Sequence, residues 1–178
     1  MKDNNLSDLL NFAREIAWEA GQLTLGYFQS GVRPDWKDDQ SPVTAADRDA
    51  ESLIRGRIEA AFPRHAIVGE EHGLKESKSS SHRWIIDPID GTKSFIRGVP
   101  LYGVLIGLEI EGRVEIGIAH FPALNEMVSA ASGLGCYLNG RQASVSDKKL
   151  LSESFMMHID HTSFEKHGRG GAFSRLSE

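Results

Sequence analysis

The chain is poor in cysteine. Cys136 is alone among 178 residues, so no internal disulfide can form, and a reducing compartment, the cytoplasm, is expected. With no motif around it, Cys136 reads as a small core residue. Clustered positive charge is also missing. No Lys/Arg run exceeds two residues and the net charge is −5, which argues against a nucleic-acid-binding surface. No apolar run approaches the ~20 residues that span a bilayer, so no membrane association is expected. The polar start Met1-Lys2-Asp3-Asn4-Asn5 is unlike a signal peptide. Zinc-ligand spacing is absent as well: His65, His72, His82, His120, His158, His161 and His167 are scattered and read as surface or packing residues. What is present, 40% apolar and 25% charged residues, is the composition of an ordinary globular domain.

Two helices are predicted first. Leu9, Leu10, Ala13, Ile16, Ala17, Ala20, Leu23 and Tyr27 recur with a period near 3.6 between Ser7 and Phe28. Gly31, Pro34 and Pro42 break the chain into a loop. Thr44-x-x-Asp47 resembles a capping box, and Ala46, Ala50, Leu53, Ile54, Ile58 and Ala61 form the buried stripe of a helix that Pro63 ends. The pattern then changes. Ala66–Gly69, Arg83–Asp87, Tyr102–Glu111, Arg113–Phe121, Glu126–Ala131, Gly135–Leu138, Gln142–Ser146 and Ser154–Ile159 read as strands, with Lys75–Ser81 a polar loop and Asn139-Gly140 a hairpin turn. A helix pair followed by a mostly antiparallel sheet gives an α+β class.

Carboxylates collect at the ends of these strands. Glu70 and Asp87 each follow an apolar run, and Asp90 lies three residues after Asp87. Residues three apart on a regular strand point to opposite faces, and Pro88 is expected to end the strand and bend both carboxylates toward one spot. If the strands are neighbours, their ends lie about 5 Å apart. Carboxylates that close repel unless a cation neutralises them, and Mg²⁺ takes such oxygen ligands. Gly91-Thr92 then offers backbone N–H groups to a phosphate.

Gly69-Glu70-Glu71, Asp87-Pro88-Ile89-Asp90-Gly91-Thr92 and Val43-Thr44-Ala45-Ala46-Asp47 together resemble the inositol monophosphatase family of Mg²⁺-dependent phosphatases. The resemblance runs from the first helix to about Ser146, where Gly133-x-Gly135 and Asn139-Gly140 also fit. It implies the layered α/β sandwich of that family, with residues 1–146 as the metal-binding part and 147–178 beginning a second α/β part. It implies that Glu70, Asp87 and the Ile89 carbonyl hold a first Mg²⁺, and that Asp87 and Asp90 help to hold a second. Asp90, Gly91 and Thr92 would meet the phosphate. Glu70 and Thr92 would position the metal-activated water, Asp47 would support Thr92, and Lys37 resembles a lysine placed near the metals.

The form Lys93-x-Phe95-Ile96-x-Gly98-x-Pro100, with Gly69-Glu70-Glu71-His72-Gly73, is similar to the family's histidinol-phosphate phosphatases. The small phosphorylated substrate implied is histidinol phosphate first and an inositol monophosphate second, with sugar and adenosine bisphosphates lower. Dimers are common in the family, so a homodimer is expected. One departure stands out. The family's late Trp-Asp-x-Ala motif has no counterpart, since Trp18, Trp36 and Trp84 all lie in the first half. The chain is therefore expected to lack its C-terminal part and one carboxylate of the second metal site. Weakened activity is expected, the alternative being a non-catalytic relative that still binds metal.

Overall fold

The first helix forms where the apolar stripe predicts it. α1 spans Leu6–Tyr27, and the Asn5 side chain caps it by accepting the Asp8 N–H at 2.9 Å. The second, α2, spans Ala45–Ala61 behind Thr44, with the capping box to Asp47 complete. Its buried face is Ala46, Asp47, Ala50, Glu51, Ile54 and Ile58. Two carboxylates thus sit in the stripe, while Ala61, expected inside, is exposed. The structure, a computed structural model, describes residues 5–38, 41–77, 81–155, 157 and 162–176.

The strands are β1 (Asp35–Trp36), β2 (Pro42–Val43), β3 (Ala66–Gly69), β4 (Gly73–Lys75), β5 (His82–Asp90), β6 (Gly103–Ile110), β7 (Arg113–Phe121), β8 (Glu126–Ala131), β9 (Gly135–Leu138) and β10 (Arg141–Ala143). β1 and β2 pair alone. The other eight form one sheet in the order β10-β9-β8-β7-β6-β5-β3-β4. Every pairing is antiparallel except that of β3 with β5. The layered α+β architecture expected from the sequence is therefore present. Asn139-Gly140 turns β9 into β10 with both residues at positive φ, and the last strand is Arg141–Ala143 rather than Gln142–Ser146.

Helices α1 and α2 cover one sheet face. Trp84 on β5 is fully buried there, with the Phe12 ring 5.7 Å away and Phe12 in turn 5.0 Å from Phe62. Such an aromatic cluster is dense core, and truncating one of its rings costs roughly 3–5 kcal/mol. Successive side chains of a strand alternate in direction, so Ile85 faces the other way and is 39% exposed.

The chain divides into two compact units, one up to Ser144 and one from Val145. The second contains a 3₁₀ turn at Leu151–Glu153 and helices α4 (Thr162–Lys166) and α5 (Gly170–Leu176). The rings of Phe164 and Phe173 meet there at 4.9 Å. The strand expected over Ser154–Ile159 does not form at Ser154, Phe155 or Met157, which pair with no strand among the described residues; the rest of that range lies outside the described residues. No helix among the described residues is long and apolar enough to cross a membrane.

Candidate metal and phosphate site

The one parallel pairing builds the site. Gly69 of β3 lies opposite Ile86 of β5, so the residues that follow, Glu70 and Asp87, emerge side by side. The Glu70 N–H donates to the Ile86 carbonyl at 3.3 Å and fixes that exit. Beyond Asp87 the strand does not stop as Pro88 suggested. It continues to Asp90 through a register shift: Asp87 pairs with Leu105 and Asp90 with Gly103. Three steps along β5 thus match two along β6, which is a β-bulge of one residue. The extra residue inverts the alternation, and Asp87 and Asp90 come to the same face. Pro88 sits inside the bulge, buried, where its missing N–H breaks no regular ladder bond.

Gly91 follows at φ +87°, and a Cβ there would lie 2.9 Å from the Leu101 carbonyl oxygen. Only glycine combines that dihedral with so close an approach. Gly91 opens the single-turn helix α3 (Thr92–Phe95). The Thr92 hydroxyl has two acceptors, the Ile89 carbonyl at 3.0 Å and Asp47 Oδ1 at 3.4 Å. Asp47 is fixed by its cap role: its Oδ2 accepts from the Thr44 N–H at 2.8 Å and from the Thr44 hydroxyl at 2.7 Å. Lys37, just past β1, places its ammonium 2.7 Å from Glu70 and 2.7 Å from Glu71.

All the residues singled out in the sequence, Lys37, Asp47, Glu70, Asp87, Ile89, Asp90, Gly91 and Thr92, therefore lie in the first unit, where β3, β5 and the N-terminus of α2 meet. Their electrostatics show the crowding. Burial, then the charges of Glu70 and Asp90, push the Asp87 carboxyl up to about 7. Burial raises Asp47 and Glu71 as well, partly offset by their hydrogen bonds to Thr44 and Lys37. Burial works to lower the Lys37 pKa, but its hydrogen bonds to Glu70 and Glu71 and their charges outweigh that and raise it, so it stays a cation.

The donor set suits a hard cation. Glu70, Asp87, Asp90 and the Ile89 carbonyl offer only oxygen, as Mg²⁺ requires. Asp87 Oδ1 is buried with no hydrogen-bond partner, and a buried lone pair of that kind is costly unless something positive satisfies it. Among the described residues no three His, Cys, Asp or Glu side chains converge closely enough to share an ion. The Glu70 carboxylate is turned instead onto Lys37.

A sequence profile described as that of the inositol monophosphatase family matches residues 5–172. The chain belongs to the inositol monophosphatase family. It is 51% identical over 138 residues to a histidinol-phosphatase of Chlorobaculum parvum, a match covering 77% of this chain and 53% of that protein. It is 38% identical over 158 residues to Nus factor SuhB of Pseudomonas aeruginosa, covering 85% and 57%. The solved structure of an inositol monophosphatase from Anabaena superposes with a TM-score of 0.72 at 34% identity, covering 84% of this chain and 54% of that one. The chain thus spans about half the length of the relatives it matches.

Two site neighbours have no role in the sequence reading. Glu71 is the second carboxylate of Lys37. Glu51, on the buried face of α2, accepts the N–H groups of Glu71 and His72 at 2.7 and 3.1 Å. The signal available for Glu51 is a glutamate inside an apolar stripe, four residues after Asp47.

Proposed function

We propose that this chain forms the metal and phosphate centre of a Mg²⁺-dependent phosphomonoester hydrolase, with histidinol phosphate the first substrate to test and an inositol monophosphate the second. The observation that carries this is the half-buried Asp87 carboxyl beside Glu70 and Asp90, whose Oδ1 is buried and unpaired, shortly before the Gly91-Thr92 turn. Membership of a family of phosphatases and 51% identity to a histidinol-phosphatase support the chemistry and the order of substrates. A small anionic metabolite also suits a chain of net charge −5 better than nucleic acid does.

Glu70, Asp87, Asp90 and the Ile89 carbonyl would hold the metal. Bound there, Mg²⁺ supplies Lewis acidity, drawing charge from phosphoryl oxygens and making water more acidic. The chain supplies position. The single hydroxyl proton of Thr92 is directed at the Ile89 carbonyl or Asp47, which leaves its lone pairs to accept a hydrogen bond from water and aim that water at phosphorus. Asp47, locked by Thr44, keeps Thr92 in that orientation. Gly91 turns the chain so that backbone N–H groups at the start of α3 face an incoming phosphate oxygen. Lys37 adds a fixed positive charge beside Glu70, where negative charge accumulates in the transition state.

The test is calorimetric titration with Mg²⁺ beside turnover on a panel of phosphomonoesters. The expected outcome is Mg²⁺ binding that Asp87→Asn abolishes, and Mg²⁺-dependent phosphate release fastest with histidinol phosphate. Near-normal turnover in Asp87→Asn would sink the assignment. A second reading, metal binding without catalysis, is supported by the chain's spanning about half the length of the relatives it matches; binding with no turnover on any ester would select it.

A further inference from the structure

A carboxylate in the interior of a helix needs a reason. Glu51 is completely buried on α2, yet removing an ionised group from water is expensive unless it is paired and hydrogen-bonded. Its surroundings meet that cost. The Arg55 Nε, one helical turn on, lies 2.7 Å from Glu51 Oε1. Oε2 accepts the Glu71 N–H at 2.7 Å and Oε1 the His72 N–H at 3.1 Å. The same Arg55 guanidinium reaches past Glu51 to donate to the Gly73 carbonyl.

These four groups span the whole turn from β3 to β4, and Glu70 is the first residue of that turn. The Glu70 N–H is bonded to Ile86 of β5, and for the next two, Glu71 and His72, Glu51 supplies the acceptor from inside the helix. The fit extends to Gly69. A Cβ on that residue would collide with the Glu51 carboxyl group, so the strand end and the helix approach closely only because Gly69 has no side chain.

We propose that Glu51 is a positioning residue for the metal site: it clamps the Gly69–Gly73 turn from α2, with Arg55 as its counter-charge, and so sets where Glu70 stands relative to Asp87. The assignment rests on the metal-site reading above. Asp47 and Glu51 occupy successive turns of α2 on one face. One carboxylate bonds Thr92 and the other bonds the backbone directly after Glu70, so a single helix braces both halves of the site.

Glu51→Gln keeps the shape but removes the charge and one acceptor. Calorimetry with Mg²⁺ is expected to give a dissociation constant raised at least tenfold, with the Mg²⁺ requirement of turnover rising more than the maximal rate falls. Without metal, hydrogen exchange at the Glu71 and His72 amides is expected to accelerate at least tenfold in this variant. In the unmodified chain both amides should exchange slowly despite lying in a surface turn. If Glu51→Gln does not fold, Arg55→Lys carries the test: it keeps the charge but cannot bond Glu51 and Gly73 together, and the same changes are expected. Unaltered Mg²⁺ affinity and amide exchange in the folded variant, or fast exchange of both amides in the unmodified chain, would overturn the proposal. Asp87→Asn runs alongside. If it binds Mg²⁺ as the unmodified chain does, the metal site itself is wrong and the role of Glu51 falls with it; if it alone loses binding, the metal site stands and Glu51 does not position it.

Discussion

Burial decides what individual side chains of this protein do with protons. His65 packs against the Phe62 ring at 4.7 Å and the His82 ring at 4.5 Å, and its Nδ1 accepts the Trp84 indole N–H at 3.1 Å. Its own proton therefore sits on Nε2, and taking a second would cost the Trp84 bond. Burial, then the charges of His82 and Arg64, lower its pKa from 6.5 to about 4. The unfolded chain accepts that proton near 6.5 and the folded chain only near 4. Between these values the unfolded state binds more protons, so stability is complete above about pH 6.5 and declines as pH falls toward 4. His65→Gln offers Trp84 an acceptor and does not titrate. The fall in Tm between pH 7.5 and 4.5 should therefore be smaller in His65→Gln than in the parent, each kcal/mol being worth roughly 2–4 °C at this size. Equal falls, measured by circular dichroism, would show that His65 does not couple folding to pH.

At the scale of the elements, local rules made the helices legible and long-range pairing hid the rest. Thr44 and Asp47 are close in sequence, so the cap of α2 could be read directly. It also supports a test: Thr44→Ala removes the hydroxyl that accepts the Ala46 N–H at 3.1 Å and donates to Asp47. A loss of about 1 kcal/mol is expected, seen as a lower urea midpoint with an unchanged slope, and Thr44→Ser should recover most of it. The bulge at Pro88 was not legible, because it exists only in the register of β5 against β6. The sequence still placed Asp87 and Asp90 together, but for a bend that the chain replaces with an inserted residue. β4 was hidden because three residues carry no periodicity. Glu51 was hidden because its partners are backbone N–H groups of a distant turn, which leave no trace in side-chain spacing. Over Ser154, Phe155 and Met157 the expected strand does not form: apolar residues suit a strand, but composition alone does not supply a pairing partner.

For the whole molecule, the division after Ser144 has a practical signature. Residues 144–150 carry no regular structure and are all exposed, and Lys148 and Lys149 lie among them. Brief trypsin treatment should cut there first and leave a product ending near Lys148 or Lys149, identified by mass; first cleavage within β5–β8 would contradict the division. The parallel contact of β3 with β5 has a consequence for how the molecule comes into being. β5 to β9 is a run of sequence neighbours joined by α3 and by short turns, and β3 with β4 is a hairpin, so each set forms by antiparallel pairing of consecutive strands. Joining the two sets takes a parallel pairing, which no tight turn can make, and parallel pairing is intrinsically slow. That same step is the one that puts Glu70 opposite Asp87. If the two sets pair last, a folding chain has its strands before it brings the proposed metal ligands together, and capture of a divalent ion would then report that closing step.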